Sequence, residues 1–123
     1  MRLFLFTFFL LTLMLVASSQ EVTESNAEYP GGIKELYKYI SEELVYPKTA
    51  KKQKIEGRVM LSFVIDTTGS VTDVEIVKGI GGGCDEEAVR VLKNIPEKFK
   101  PAYQKGKAVR VRMGLPIQFK RGK

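Results

Sequence analysis

Cys84 is the only cysteine in this 123-residue chain, and it is followed directly by Asp85, Glu86 and Glu87. A thiol ahead of a helix start can have a lowered pKa, but three carboxylates oppose a thiolate there. Small buried cysteines are common, so Cys84 is expected to be a packing residue. The run Gly79-Ile80-Gly81-Gly82-Gly83 before the same helix offers backbone amides of the kind that cradle phosphate. The carboxylates that follow repel an anion, and the lysine and hydroxyl of a P-loop are missing. A flexible strand-to-helix connection is expected instead. The chain has no histidine, no clustered metal-ligand set and no nucleophile motif. Catalysis is not expected, and no metal or cofactor is expected.

Recognition has more to work with. From Ala108 to Lys120, the residues Val109, Val111, Met113, Leu115, Ile117 and Phe119 alternate with Arg110, Arg112, Gly114, Pro116, Gln118 and Lys120. Successive side chains of a strand point to opposite faces, so the first set is expected on the core and the second on solvent or a partner. Pro116 cannot donate to a ladder, which places this strand at a sheet edge. An edge strand is where another chain can dock. Lys48, Lys51, Lys52 and Lys54 form a separate basic segment, expected to be solvated. Arg110 and Arg112 are expected to touch an acidic partner. No aromatic falls on their face to serve as a stacking platform, which argues against nucleic acid.

The elements that must carry these residues follow from the rest of the chain. Met1-Arg2, the apolar run Leu3 to Val16 and the small residues Ala17-Ser18-Ser19 have the form of a secretory signal cleaved after Ser19. An anchored form facing the periplasm is the alternative, but a membrane span needs about 20 apolar residues. Export of a chain with one cysteine suits a bacterial periplasm. A formal net charge of +6 points to acidic proteins or anionic surfaces before nucleic acid. Residues 20–28 are expected to be a flexible lead, and residues 29–123 one domain.

Within that domain Ile33, Leu36, Tyr37, Ile40 and Leu44 recur at helical spacing, predicting a helix that ends near Leu44. Lys48 to Lys54 allow a further short helical segment with Pro47 in its first position. Val59, Leu61, Phe63 and Ile65 predict a strand's inner face, with Arg58, Met60, Ser62 and Val64 outside. Asp66 to Ser70 form a turn, and Val71 to Val77 return with Val74 and Ile76 inward. Asp85 is expected to cap a helix carrying Ala88, Val91, Leu92 and Ile95, which Pro96 stops. Glu97 to Lys107 is expected to be a loop. The fold class is α+β, a two-layer sandwich of two helices on a three-stranded antiparallel sheet, in the order α-β-β-α-β. The outer sheet face, with Arg58, Glu75, Arg110 and Arg112, would be wet.

Tyr46-Pro47, Ile55-Glu56-Gly57-Arg58-Val59, Phe63-Val64-Ile65-Asp66, Val71-Thr72-Asp73-Val74, Asp85-Glu86-Glu87-Ala88, Lys100-Pro101, Gly106-Lys107 and Val109 to Phe119 together resemble the TonB C-terminal domain family. The resemblance covers about residues 29 to 120. It implies a periplasmic domain of a Gram-negative bacterium that grips a short extended segment, the TonB box, of an outer-membrane transport receptor. The box would add as a strand to the edge of Val109 to Phe119. The site residues implied are Glu43, Leu44, Val45, Tyr46 and Pro47, with Val109, Arg110, Val111, Arg112, Met113, Gly114, Leu115 and Gln118. Glu43, Leu44 and Val45 stand where well-known members carry Gln-Pro-Gln. No histidine or proline-rich spacer of a full energy transducer is present, so the chain looks like the receptor-binding part, touching membranes only through partners. Self-association through the same edge, giving a homodimer or a structural assembly, is the alternative.

Overall fold

A computed structural model describes residues 24–121 of the chain. The expected signal segment, residues 1–19, lies outside the described residues. Eight elements follow in order: α1 (Ile33–Glu43), α2 (Lys48–Gln53), β1 (Gly57–Ile65), β2 (Val71–Lys78), α3 (Cys84–Lys93), β3 (Ala102–Gln104), β4 (Lys107–Val109) and β5 (Val111–Phe119). The main sheet is antiparallel with strand order β2-β1-β5, and β3 and β4 form a separate hairpin. The architecture is thus the expected α+β arrangement of helices on a three-stranded antiparallel sheet, extended by the short helix α2 and by the hairpin. Among the described residues no helix is long and apolar enough to cross a membrane.

The core sits between the helices and the inner sheet face. Val59, Leu61, Phe63 and Ile65 are fully buried against Leu36 and Ile40 of α1, Ala88, Val91 and Leu92 of α3, and Leu115, Ile117 and Phe119 of β5. Burying a large aliphatic or aromatic side chain contributes about 1.5–3 kcal/mol, so this cluster is the main stabilising element. Ile33, the first residue of α1, is exposed rather than buried.

Several local expectations are corrected. The strand foreseen from Ala108 to Lys120 is two strands, broken at Arg110. Upstream of the break Val109 pairs with Ala102 in the hairpin, and downstream Val111 pairs with Ile65 of β1. The stretch Glu97 to Lys107 is therefore not all loop. Lys105 and Gly106 take φ of 51° and 75°, the left-handed pair that a two-residue hairpin turn requires. The flexible lead is tied down over residues 24–28: Ser25 exchanges backbone hydrogen bonds with Tyr103, and Glu28 with Lys100. Asp85 does not cap α3. Gly83 holds that position at φ 89°, while the Asp85 carboxylate accepts from the Ile80 N–H at 2.8 Å and the Gly81 N–H at 3.3 Å. Pro47 is the N-cap of α2 and not its first helical residue.

On β2, Val74 packs against the core but Ile76 is 45% exposed. Ile76 stands opposite the buried Leu61 and so keeps the inner face, exposed at the sheet edge. The extra residue near Asp73, which adopts φ 49°, accounts for the three-residue step from Val71 to Val74. The outer sheet face is not uniformly wet either, since Val64 and Ser62 at its centre are buried. At the β1–β2 turn Gly69 is indispensable: at φ 88° a Cβ there would collide with the Phe99 carbonyl oxygen, whose chain the turn grips through Phe99 N–H to Gly69 O at 2.9 Å.

Candidate binding edge and its groove

β5 borders the sheet, pairing with β1 on one side only. Its pairing runs from Gly57 opposite Phe119 to Ile65 opposite Val111 without a slip. Pro116 lies opposite Met60 and has no amide hydrogen for the ladder. Its carbonyl accepts from the Tyr37 hydroxyl of α1 at 3.2 Å, so that carbonyl turns away from β1. Antiparallel positions alternate between facing the partner strand and facing away. The main-chain groups of Arg112, Gly114 and Gln118 therefore turn outward with those of Pro116. From Val111 to Leu115 the outward edge is open, whereas at Pro116 it has no N–H and its carbonyl is engaged.

Where the edge closes, a groove opens. A cavity of about 620 Å³ lies between α1 and the end of β5, with Ile40, Leu44 and Tyr46 on one wall and Pro116 and Phe119 on the other. The Tyr46 ring meets Phe119 edge to face with centroids 5.8 Å apart, and its hydroxyl donates to the Ile55 carbonyl. Desolvation pushes the Tyr46 phenol above its ordinary pKa, so it remains a neutral donor. At the opposite end of β5, Val111 lines a smaller cleft of about 240 Å³ with residues 24–26 and 102–104.

The segment before Tyr46 is bolted to α3. Glu87 and Arg90 form a two-pronged pair, Nε to Oε1 at 2.7 Å and Nη2 to Oε2 at 2.8 Å. Glu87 Oε2 also accepts from the Val45 N–H at 2.7 Å, and Arg90 donates to the Glu43 carbonyl at 3.2 Å. The hydrogen bond from Arg90, helped by the Val45 amide, holds the Glu87 carboxyl below its usual range despite desolvation. The clamp leaves the Val45 side chain 62% exposed.

The structure thus brings Leu44 and Tyr46 to the same groove as Gln118, with Glu43, Val45 and Pro47 alongside in the chain. It sets Val109 apart, in the hairpin. Val111, Met113 and Leu115 point to the core, so on this edge they can offer a partner little beyond their surroundings. Arg110 and Arg112 reach across the outer sheet face to β2, not outward along the edge. Arg110 pairs with Asp73 at 3.2 Å, and Arg112 with Glu75 at 3.6 Å and with the Ser62 hydroxyl at 2.7 Å. Cys84 is fully buried, and desolvation followed by Asp85 and Glu86 pushes its thiol pKa up. That is a poor nucleophile.

Sequence reasoning missed Tyr37, Arg58, Glu87 and Arg90. By its spacing Tyr37 belongs to the core stripe, yet it stands 38% exposed at the edge. The Glu87–Arg90 spacing of three on a helix was the one available signal for the clamp.

The family described as Gram-negative bacterial TonB protein C-terminal matches residues 42–121. Protein TonB of Helicobacter pylori is 40% identical over 65 residues, which is 50% of this chain and 23% of that protein. Protein TonB of Vibrio cholerae is 33% identical over 76 residues, 61% of this chain and 30% of that protein. The chain thus spans less than a third of these relatives. The solution structure of the Helicobacter pylori TonB-CTD superposes with a TM-score of 0.51 at 28% identity, over 72% of this chain and 91% of that one.

Proposed function

The chain belongs to the TonB C-terminal family, and from that premise we propose that it is a periplasmic binding domain for an extended peptide of an outer-membrane transport receptor. The peptide adds as a strand to the outward edge of β5. Main-chain pairing supplies the affinity, and side chains along the edge select the sequence. The observation that carries this reading is the long, slip-free edge strand, open from Val111 to Leu115 and leading into a groove. A flat edge of this kind is normally covered or blunted unless it serves to pair. No catalytic step is assigned to any residue.

The route into the periplasm in this reading is a cleaved signal over residues 1–19. Intact mass of periplasmic material starting near Gln20 supports it, and a product that keeps residues 1–19 and pellets with the inner membrane overturns it.

Shift mapping or amide exchange with a peptide from the plug-proximal N-terminus of a co-encoded receptor tests the docking. Perturbation of the Arg112 and Gly114 amides is expected. A silent β5, with changes confined to Gly79–Gly83, overturns strand addition. A silent β5 together with a mass that grows with concentration transfers the edge to self-association.

A further inference from the structure

The groove at the end of β5 has an unbalanced charge. Its lining carries two cations, Arg58 and Lys120, and no carboxylate. Other arginines are neutralised within the chain: Arg90 by Glu87, Arg110 by Asp73, Arg112 by Glu75 and Arg121 by Glu56. Arg58 instead has a neutral partner, its Nε donating to the amide oxygen of Gln118 at 3.1 Å. Among the described residues no lysine takes part in an ion pair.

The groove's downstream end adjoins a cleft that Lys120 shares with Glu56, and with Arg58 and Arg121 this group of four keeps a net charge of +2. The Arg121 N–H donates to Glu56 at 2.8 Å, which ties the segment after β5 to the turn that follows α2. That helix exposes Lys48, Lys51 and Lys52 and has no acidic residue.

An occupant must satisfy both features. The groove walls are apolar, so a hydrocarbon or aromatic side chain gains by entering. Covering Arg58 and Lys120 without an opposite charge would strip water from cations and give nothing back. A carboxylate there restores the balance, and because Arg58 and Lys120 are exposed the gain is greatest at low salt.

Resting on the strand-docking reading, we infer that the peptide leaves the β5 edge at Pro116, places an apolar side chain against Leu44 and Tyr46, and sets a carboxylate between Arg58 and Lys120. Pro116 enforces the exit, because an added strand finds no amide there and a carbonyl already engaged by Tyr37. The partner is thus an extended segment whose strand-forming part is followed by an apolar and then acidic residues. A peptide fits better than an anionic lipid surface, since the groove continues a strand edge.

Fluorescence anisotropy with three labelled synthetic peptides tests this. All share a threonine–valine strand portion, with tails of phenylalanine-aspartate-glutamate, phenylalanine-serine-serine, or serine-aspartate-glutamate. The first is expected to bind about tenfold more tightly than either other at low salt. Lys120→Glu, at an exposed position, is expected to erase the preference for the acidic tail and to restore tight binding to a phenylalanine-lysine-lysine tail. Shifts of the Gly114 amide are followed in parallel. Equal affinity for all tails, with Gly114 shifted each time, overturns the tail assignment and leaves strand docking standing. No Gly114 shift with any peptide overturns strand docking itself. A preference for the acidic tail that survives Lys120→Glu, or binding to phosphatidylglycerol vesicles that Lys120→Glu abolishes while peptides show no preference, also overturns the inference.

Discussion

The two edges of the sheet share the same central strand and the same core, yet they end differently. Along β2 the register with β1 shifts twice, between Met60 and Leu61 and between Ser62 and Val64. The second shift sits beside Asp73, whose φ of 49° bends the strand out of line. Bulges of this kind break the row of unpaired amides that another chain would need. That protection lets Ile76 and Val77 remain 45% and 66% exposed on this edge. Along β5 the nine residues pair with β1 in one register. Its edge is fenced by side chains, Tyr37 on one flank and the hairpin beyond Arg110 on the other. Apolar exposure is greater on β2, so under the strand-docking proposal it is regularity of the backbone, not hydrophobicity, that marks the edge.

The largest effect is expected at the strand both edges lean on. Phe63 is fully buried in β1, and its ring lies 6.0 Å from that of Phe99. Truncating such a phenylalanine costs about 3–5 kcal/mol, against about 5–15 kcal/mol for a whole domain. Phe63→Ala should therefore leave most of the protein unfolded in a thermal melt, and an unchanged melting temperature would show that β1 does not support both edges.

A pair of proline substitutions then separates the two sides of β5. Leu115 faces the core, and by alternation its amide faces β1, so Leu115→Pro removes a ladder bond and a buried side chain, costing about 2–5 kcal/mol. Gly114 is the contrast. Its amide turns outward, and a Cβ there would meet only the Leu61 carbonyl at an ordinary 3.8 Å. Gly114→Pro should keep the fold to within about 1 kcal/mol while abolishing peptide binding. Full peptide affinity in a folded Gly114→Pro protein breaks the comparison, because the outward amides would then be idle.

These contrasts were only partly legible in the sequence. The core face of β1 was, since Val59, Leu61, Phe63 and Ile65 alternate cleanly and nothing interrupts them. Pro116 marked the edge for the same local reason, a missing amide. The break at Arg110 was not, because β4 and β5 alternate in the same phase and the pattern runs through Val109 and Val111 as if one strand continued. What changes at Arg110 is the partner, from β3 to β1, and a partner is a long-range property. Lys105-Gly106 was the only local hint of a hairpin, weaker than an Asn-Gly pair. The bulge did leave a trace: Val71, Val74 and Ile76 are spaced three and then two apart, one residue too many for strict alternation. The groove left none, since Tyr37 and Pro116 meet across 79 positions.

The clamp that holds the groove's upstream wall should respond to acid. Because Arg90 and the Val45 amide depress the Glu87 pKa in the folded protein, the clamp's contribution is complete above the ordinary glutamate range. It is lost as pH falls through the lowered folded value. The Val45 amide resonance should follow that acid-range titration while Gly114 stays unmoved. Glu87→Gln keeps an acceptor but not the charge, so it should cost about 1 kcal/mol and make Val45 independent of pH. A Val45 amide that titrates unchanged in Glu87→Gln would mean that another carboxylate holds the wall.

The smallest effect is expected where β2 is already blunted. Asp73→Gly removes an ion pair with Arg110 in which both side chains are more than half exposed, and such pairs contribute about 0–1 kcal/mol. It also relieves a left-handed φ that glycine adopts without steric cost. The two changes oppose each other, so the denaturation midpoint should correspond to a stability within about 0.5 kcal/mol of the parent. The bulge itself should survive, because it is fixed by the register on both sides of it, Ser62 with Glu75 and Val64 with Thr72. Mass by light scattering should therefore not change. If the glycine variant instead associates through β2, the Asp73 charge and not the extra residue blunts that edge, and backbone regularity ceases to explain why β5 alone is left to pair.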